Sequence, residues 1–399
     1  MTSFNDLGIE PVLTERLKER DITKPTNIQE RVIPEILAAN DLIFRSATGT
    51  GKTFAYLLPV FSNEQLRGKG IEGGDQLTTG NKVLIVAPTL ELAAQIKAEA
   101  DFLNPSLSSV LLIGSVSIDK QIETLKRIKP VVAVGNPGRL LTLAKMKKLN
   151  LRNLQFLVLD EADRLTTAEC IDDMRQLLSL IKKLTGGGKI QTIACSATVT
   201  ENTGAQLGDL FNGAKIIKSD DHEILRDRII HWAIFSERRK RVQALRSFIA
   251  AAKGKKKRIK VLVFTSKGDD AQKILSQLQH HKISASGLFG KAGKKPLSAA
   301  QRKEALDTFR HGKADVLVST DLAARGLDIS GISHVISLDV PDDEEIYIHR
   351  CGRTGRAGKR GVMVTIGDEV QMRLLASLEK KLKIIIYPKE LYQGKVLDL

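Results

Sequence analysis

The chain has little with which to build a covalent or metal framework. Its three cysteines, Cys170, Cys195 and Cys351, are far apart and show no CxxC spacing, so neither disulfides nor a zinc site is expected, and a reducing compartment is. No run of about 18 apolar residues occurs. The opening MTSFNDLGIE lacks a basic stretch followed by an apolar one, which disfavours secretion and points to a cytoplasmic protein, or a nuclear one in a eukaryote. Aromatics are scarce, at 4% with a single Trp, which excludes a broad stacking platform. Acidic residues are the minority charge: 46 Asp plus Glu against 62 Lys plus Arg leave a formal charge of +16. Such a surplus favours a polyanionic partner, although many basic proteins have none. What is present, 42% hydrophobic and 27% charged residues over 399 positions, suits two globular α/β domains better than one.

Short β-branched apolar runs alternate with longer helical patterns, the signature of parallel sheets covered by helices. Strands are expected at Asp41–Arg45, Lys82–Ala87, Val131–Gly135, Phe156–Asp160 and Gln191–Cys195, then at Lys260–Thr265, Ala314–Thr320, His334–Val340 and Gly361–Ile366. The polar KSDDHEILRDR between the two series, residues 218–228, reads as a linker between domains at 1–217 and 229–399. Ser62–Asn81, with five glycines, reads as a loop insertion. Lys253–Lys260, with six basic residues, is either a solvated helix end and loop or a nucleic-acid contact. After the last expected strand, Asp368–Leu399 should form a closing helix and a short end, with no appended extension.

Ser46-Ala47-Thr48-Gly49-Thr50-Gly51-Lys52-Thr53 lies between an expected strand and an expected helix. Gly49 and Gly51 let the backbone N–H groups wrap phosphates, together with Thr48 and Thr50; Lys52 can reach the β and γ oxygens and Thr53 can hold Mg²⁺. The helix N-terminus adds a favourable dipole for anions. A metal-binding carboxylate is offered by Phe156-Leu157-Val158-Leu159-Asp160-Glu161-Ala162-Asp163: Asp160 for Mg²⁺ through water, Glu161 to polarise the attacking water. Two acids after a strand also suit an ordinary helix N-terminus, and their pairing with the phosphate loop favours the metal.

Asp160-Glu161-Ala162-Asp163 spells the DEAD box, and nearly the whole chain resembles the DEAD-box ATP-dependent RNA helicases of superfamily 2. That resemblance implies two tandem RecA-like parallel-sheet domains, ATP and Mg²⁺ as cofactors, and single-stranded or short duplex RNA as partner. Pro25-Thr26-Asn27-Ile28-Gln29 with upstream Phe4 resembles the adenine-reading Q motif, implying that Gln29 bonds adenine and Phe4 stacks on it. Ser196-Ala197-Thr198 resembles the segment coupling hydrolysis to strand separation. Ser319-Thr320-Asp321, Arg325-Gly326-Leu327-Asp328 and His349-Arg350-Cys351-Gly352-Arg353-Thr354-Gly355-Arg356 resemble the late helicase motifs. By the same resemblance Arg353 and Arg356 supply charge at the γ-phosphate, Asp328 takes the ribose hydroxyls, and Asp321, Arg325 and His349 couple the two halves. Arginine suits this task because its planar fork donates several bonds at once. RNA contact is implied for Pro88, Thr89, Gly114, Pro137, Gly138, Arg139, Thr265, Arg302 and Thr320, mostly through the sugar-phosphate backbone.

The sequence departs from the family at Leu90, Ser115, Asn136 and Ala299, all in the RNA-facing set, which reads as weakened grip or as drift at tolerant positions. Lys291, Lys294 and Lys295 lie where they could restore phosphate contacts. The expected activity is RNA-dependent ATP hydrolysis with local unwinding by a monomer. ATP-controlled RNA clamping is the rival within the enzyme class, scaffolding with an inactive site the rival outside it, and a DNA helicase a further alternative.

Overall fold

The computed structural model describes residues 2–45, 50–63, 66, 81–196, 207, 211–218, 225, 228–254, 259–292, 295–324, 329, 331–355 and 360–399. They group into two compact units, the first running to Lys218 and the second from Leu225 onward. Among the described residues no helix is long and apolar enough to cross a membrane.

The first unit is a parallel sheet of β1 (Leu42–Arg45), β2 (Val83–Val86), β3 (Ser109–Leu112), β4 (Val132–Gly135), β5 (Phe156–Asp160), β6 (Gln191–Ser196) and β7 (Lys215–Lys218), in the order β3-β4-β2-β5-β6-β1-β7. Its helices are α1 (Pro11–Lys18), α2 (Asn27–Leu37), α3 (Lys52–Ser62), α4 (Leu90–Leu103), α5 (Ile118–Ile128), α6 (Pro137–Lys145), α7 (Ala162–Leu165) and α8 (Ile171–Leu184). The central strands β2, β5 and β6 are buried along their whole length because both faces are covered, and their polar residues fall at the strand ends. In β2, Val83 and Ile85 join one core while Leu84 and Val86 join the other, as a period of two requires.

The second unit repeats this plan. Strands β8 (Ile229–Phe235), β9 (Val261–Phe264), β10 (Ala285–Leu288), β13 (Val316–Ser319), β14 (His334–Ser337), β15 (Gly361–Gly367), β16 (Ile386–Tyr392) and β17 (Lys395–Asp398) lie in the order β10-β13-β9-β14-β15-β8-β16-β17. All pairs are parallel except β16 with β17. A separate antiparallel hairpin joins β11 (Lys291–Ala292) to β12 (Lys295–Pro296). The helices are α9 (Arg241–Lys253), α10 (Gly268–His280), α11 (Ala299–Arg310), α12 (Asp321–Ala324), α13 (Glu344–Cys351) and α14 (Glu369–Leu382).

Each expected strand is present, and the structure adds β3, β7, β8, β10 and the hairpins. The closing helix is α14, but the end that follows is the β16–β17 hairpin, paired to β8. Leu225, inside the polar stretch 218–228, is buried in one core of the second unit beside Ile229. Most of the glycine-rich segment before Asn81 lies outside the described residues.

Candidate functional site

Parallel α/β sheets bind ligands beyond the carboxyl ends of their strands, and the expected site residues of the first unit fall there. Pro88 and Thr89 follow β2, Gly114 follows β3, and Pro137, Gly138 and Arg139 follow β4. Gly51, Lys52 and Thr53 follow β1, Asp160 and Glu161 end β5, and Ser196 ends β6. The sheet order therefore sorts them: β3, β4 and β2 carry the residues expected at RNA, β5 and β1 those expected at the nucleotide, and β6, next to both, the expected coupling residue Ser196.

Gln29 lies in the first turn of α2 and is buried. Its Oε1 accepts from the Thr26 N–H at 2.9 Å and its Nε2 donates to the Gly51 carbonyl at 3.0 Å. Thr26 Oγ1 donates to the Thr50 carbonyl at 2.8 Å, so this segment grips the phosphate loop by its backbone while one amide N–H of Gln29 is left over. Gly51 has φ +89°, and a Cβ there would stand 2.4 Å from Gln29 Nε2. Phe4 is buried in the adjacent core with Ile9 and Ile28.

Lys52 opens α3, and its ammonium is buried without a hydrogen-bond partner. Burial disfavours the charge, but Cys195, Asp160, Glu161 and Asp163 outweigh it and hold the Lys52 pKa above its ordinary value. A buried cation without a hydrogen-bond partner, held among acidic groups, suits a triphosphate and its metal. Asp160 is buried, and burial pushes its carboxyl up against the opposing pull of Lys52 and of the hydrogen bonds from Cys195 and Tyr56. Glu161 takes the left-handed conformation, φ 51°, at a cost of about 1–2 kcal/mol. Its own N–H donates back to Asp160 Oδ1 at 2.9 Å, and its carboxylate meets Arg164 Nη1 at 3.3 Å. Such strain, held by surrounding contacts, is a mark of functional sites.

On the other half of this edge, Thr89 caps α4, its Oγ1 accepting from the Leu92 N–H at 3.3 Å. Leu90 opens α4 and packs against the core. Arg139 donates to the carbonyls of Val116 at 2.8 Å and Gly114 at 3.1 Å and to Gln121 Oε1 at 3.0 Å, bracing the loop that holds Gly114 and Ser115.

In the second unit Thr265 follows β9 and Thr320 follows β13, on adjacent strands. Arg302 lies on α11. Arg350 is 1% exposed. It grips Asp321 with Nε and Nη2, both at 2.7 Å, while Nη1 donates to the Asp339 carbonyl at 2.7 Å and to Ser337 Oγ. Asp339 also accepts from the Ser266 N–H at 2.6 Å. Asp321, His349, Arg350 and Arg353 line one cleft with Phe264 and Ile346. Thr48, Gly49, Thr198, Arg325, Asp328 and Arg356 lie outside the described residues.

Sequence reasoning passed over Tyr56, whose hydroxyl donates to Asp160 Oδ2 at 2.9 Å, Cys195, whose Sγ donates to Oδ1 at 2.9 Å, and the brace formed by Arg350. The apolar run around Tyr56 hid the first, and no short-range pattern marks the others.

Residues 26–205 match the DEAD/DEAH box helicase family model, and residues 240–358 match the helicase conserved C-terminal domain. The chain is 32% identical over 392 residues to the DEAD-box ATP-dependent RNA helicase CshC of Bacillus cereus, covering 98% of this chain and 94% of that protein. Among solved structures, S. cerevisiae Dbp5 bound to RNA and ADP BeF3 is similar at TM-score 0.80 and 25% identity, over 98% of this chain and 96% of that one. Mss116p bound to ssRNA and AMP-PNP is similar at TM-score 0.83 and 25% identity, over 98% and 80% respectively.

Proposed function

Because the chain belongs to the DEAD-box ATP-dependent RNA helicases, two tandem RecA-like units that bind RNA and act by ATP, we propose that it hydrolyses ATP at the phosphate loop of the first unit and uses the cycle to separate short RNA duplexes. The buried, unpartnered ammonium of Lys52 carries this reading, since it needs a counter-anion that the described residues do not hydrogen-bond to it. Mg²⁺, when bound, neutralises charge developing on the phosphates. Thr53 would hold it directly and Asp160 through water. Among the described residues no cluster of three or more His, Cys, Asp or Glu could hold a metal, and Mg²⁺ shared with phosphates needs none.

Glu161 orients the attacking water and takes up its proton. Gln29 and Phe4 read adenine, and Asp328 the ribose. Phosphoryl transfer needs positive charge around the γ-phosphate beyond Lys52. Arg353 and Arg356 provide it, so turnover depends on both units, divided as 1–217 and 229–399 with 218–228 between. Ser196, Thr198, Asp321, Arg325 and His349 transmit the result. RNA runs along Pro88, Thr89, Gly114, Pro137 and Gly138 of the first unit and Thr265, Arg302 and Thr320 of the second, with Arg139 bracing the Gly114 loop. A monomer in the cytoplasm fits the three free thiols.

The test is ATP turnover with and without single-stranded RNA, beside strand separation of a short duplex, for wild type and Glu161→Gln. Turnover should fall about a hundredfold or more in the variant, while ATP-dependent RNA binding persists. Equal turnover in both proteins would remove Glu161 from its role. Wild-type turnover stimulated by RNA without strand separation would leave RNA clamping as the function.

A further inference from the structure

The two oxygens of the Asp160 carboxylate are used unequally. Oδ1 accepts from Cys195 Sγ and from the Glu161 N–H, each at 2.9 Å, which fills both of its lone-pair directions. Oδ2 accepts one bond, from the Tyr56 hydroxyl at 2.9 Å. The acceptor direction still open on this carboxylate therefore belongs to the oxygen that Tyr56 holds.

Tyr56 stands three residues after Thr53 on α3, so the two side chains share a helix face. Burial raises the Tyr56 pKa well above the ordinary value, and Asp160 and Cys195 add to this, so the phenol remains a donor to Asp160.

The geometry points to Tyr56 as a positioning residue for the divalent cation, its hydroxyl fixing the oxygen of Asp160 that still has an open acceptor direction. A carboxylate that holds the ion through water must keep one fixed acceptor, and the Tyr56 O–H fixes Oδ2. The ring itself is core packing: Tyr56 is fully buried among Leu57, Val60, Val158 and Cys195. Phenylalanine would keep that packing and remove the hydrogen bond to Asp160. The inference rests on the magnesium reading above.

The experiment is equilibrium binding of a fluorescent ADP to the full chain without RNA, titrated with Mg²⁺, with a separate arm in EDTA. Tyr56→Phe should raise the half-saturating Mg²⁺ about tenfold, the lower end for losing an outer partner of a metal ligand, and leave ADP affinity in EDTA unchanged. Cys195→Ser, which keeps a donor on Oδ1, should retain the wild-type Mg²⁺ response. The proposal is overturned if Tyr56→Phe leaves the Mg²⁺ response intact, weakens binding equally with and without metal, or does not fold, since a positioning role spares the packing. It is also overturned if Cys195→Ser shifts the response as far as Tyr56→Phe does. Wild-type ADP binding indifferent to Mg²⁺ would instead remove the magnesium reading itself, a separate and recognisable outcome.

Discussion

Gly51 shows how little freedom the nucleotide site has at single residues. Its φ of +89° suits glycine, and the place of a Cβ is taken by Gln29 Nε2 at 2.4 Å. Gly51→Ala must strain the backbone by about 1–2 kcal/mol and push Gln29 off the Gly51 carbonyl, a combined cost of about tenfold or more in nucleotide affinity. Fluorescent ADP titration checks it, and unaltered affinity would show that the Gln29 contact does not shape the loop. Most of this site could be read from the sequence, because Lys52, Thr53, Asp160 and Glu161 sit at fixed offsets from a strand end. Tyr56 and Cys195 could not, since their role comes from contacts spanning 104 and 35 residues to Asp160. Arg139 shows the converse: its motif was plain, but its bonds to the 114–116 loop appear only when β3 and β4 are set side by side.

At the scale of elements, the joints of the second unit are made by buried polar pairs. Arg350 ties α13 to Asp321 of α12 and to the segment after β14. Arg350→Ala would leave the Asp321 carboxylate without its partner, a loss of about 3–5 kcal/mol for a broken buried pair. Chemical denaturation followed by Trp232, the single tryptophan, reports on this unit. His231, next to it on β8, adds a pH dependence: Nε2 lies 3.0 Å from the Leu225 carbonyl and Nδ1 3.0 Å from Tyr347 Oη, so Nε2 carries the proton and Nδ1 accepts. Burial lowers its pKa from 6.5 to about 4, partly opposed by the Leu225 bond. Between those values the unfolded chain binds the extra proton and the folded chain does not. Stability is thus full above pH 6.5 and falls as pH drops toward 4, by about 3 kcal/mol in total. His231→Gln should flatten that segment of the stability curve, and an unchanged slope would assign it to other groups. Most strands absent from the sequence reading have a weak local signal. β7 and β10 are short, partly exposed edge strands, β8 carries His231 and Trp232 within its run, and β16 contains Pro388, whereas Val110-Leu111-Leu112 of β3 is a legible continuous apolar run.

For the whole molecule, the order of strands in the first unit would separate energy use from substrate grip along one edge, with the proposed nucleotide residues on β1 and β5, the proposed coupling residue Ser196 on β6, and the proposed RNA residues on β2, β3 and β4. A change on the RNA side should therefore alter RNA affinity while leaving ADP binding alone. The departures Leu90, Ser115, Asn136 and Ala299 all lie in the set proposed to face RNA, whereas the net charge of +16 supplies a long-range attraction to any polyanion. If that attraction compensates, part of it should be local to the β11–β12 hairpin, which carries Lys291 and Lys295 on paired strands with Lys294 between them. Charge reversal of the three lysines should lower RNA affinity and flatten its salt dependence by about one unit of slope for each true phosphate contact. ADP affinity measured on the same variant should stay at the wild-type value, because the hairpin belongs to the second unit and Gly51, Lys52 and Thr53 to the first. Unchanged RNA affinity with an unchanged slope would place the lysines in solvent. A fall in ADP affinity would show that grip and energy use are not separable in the way the strand order implies.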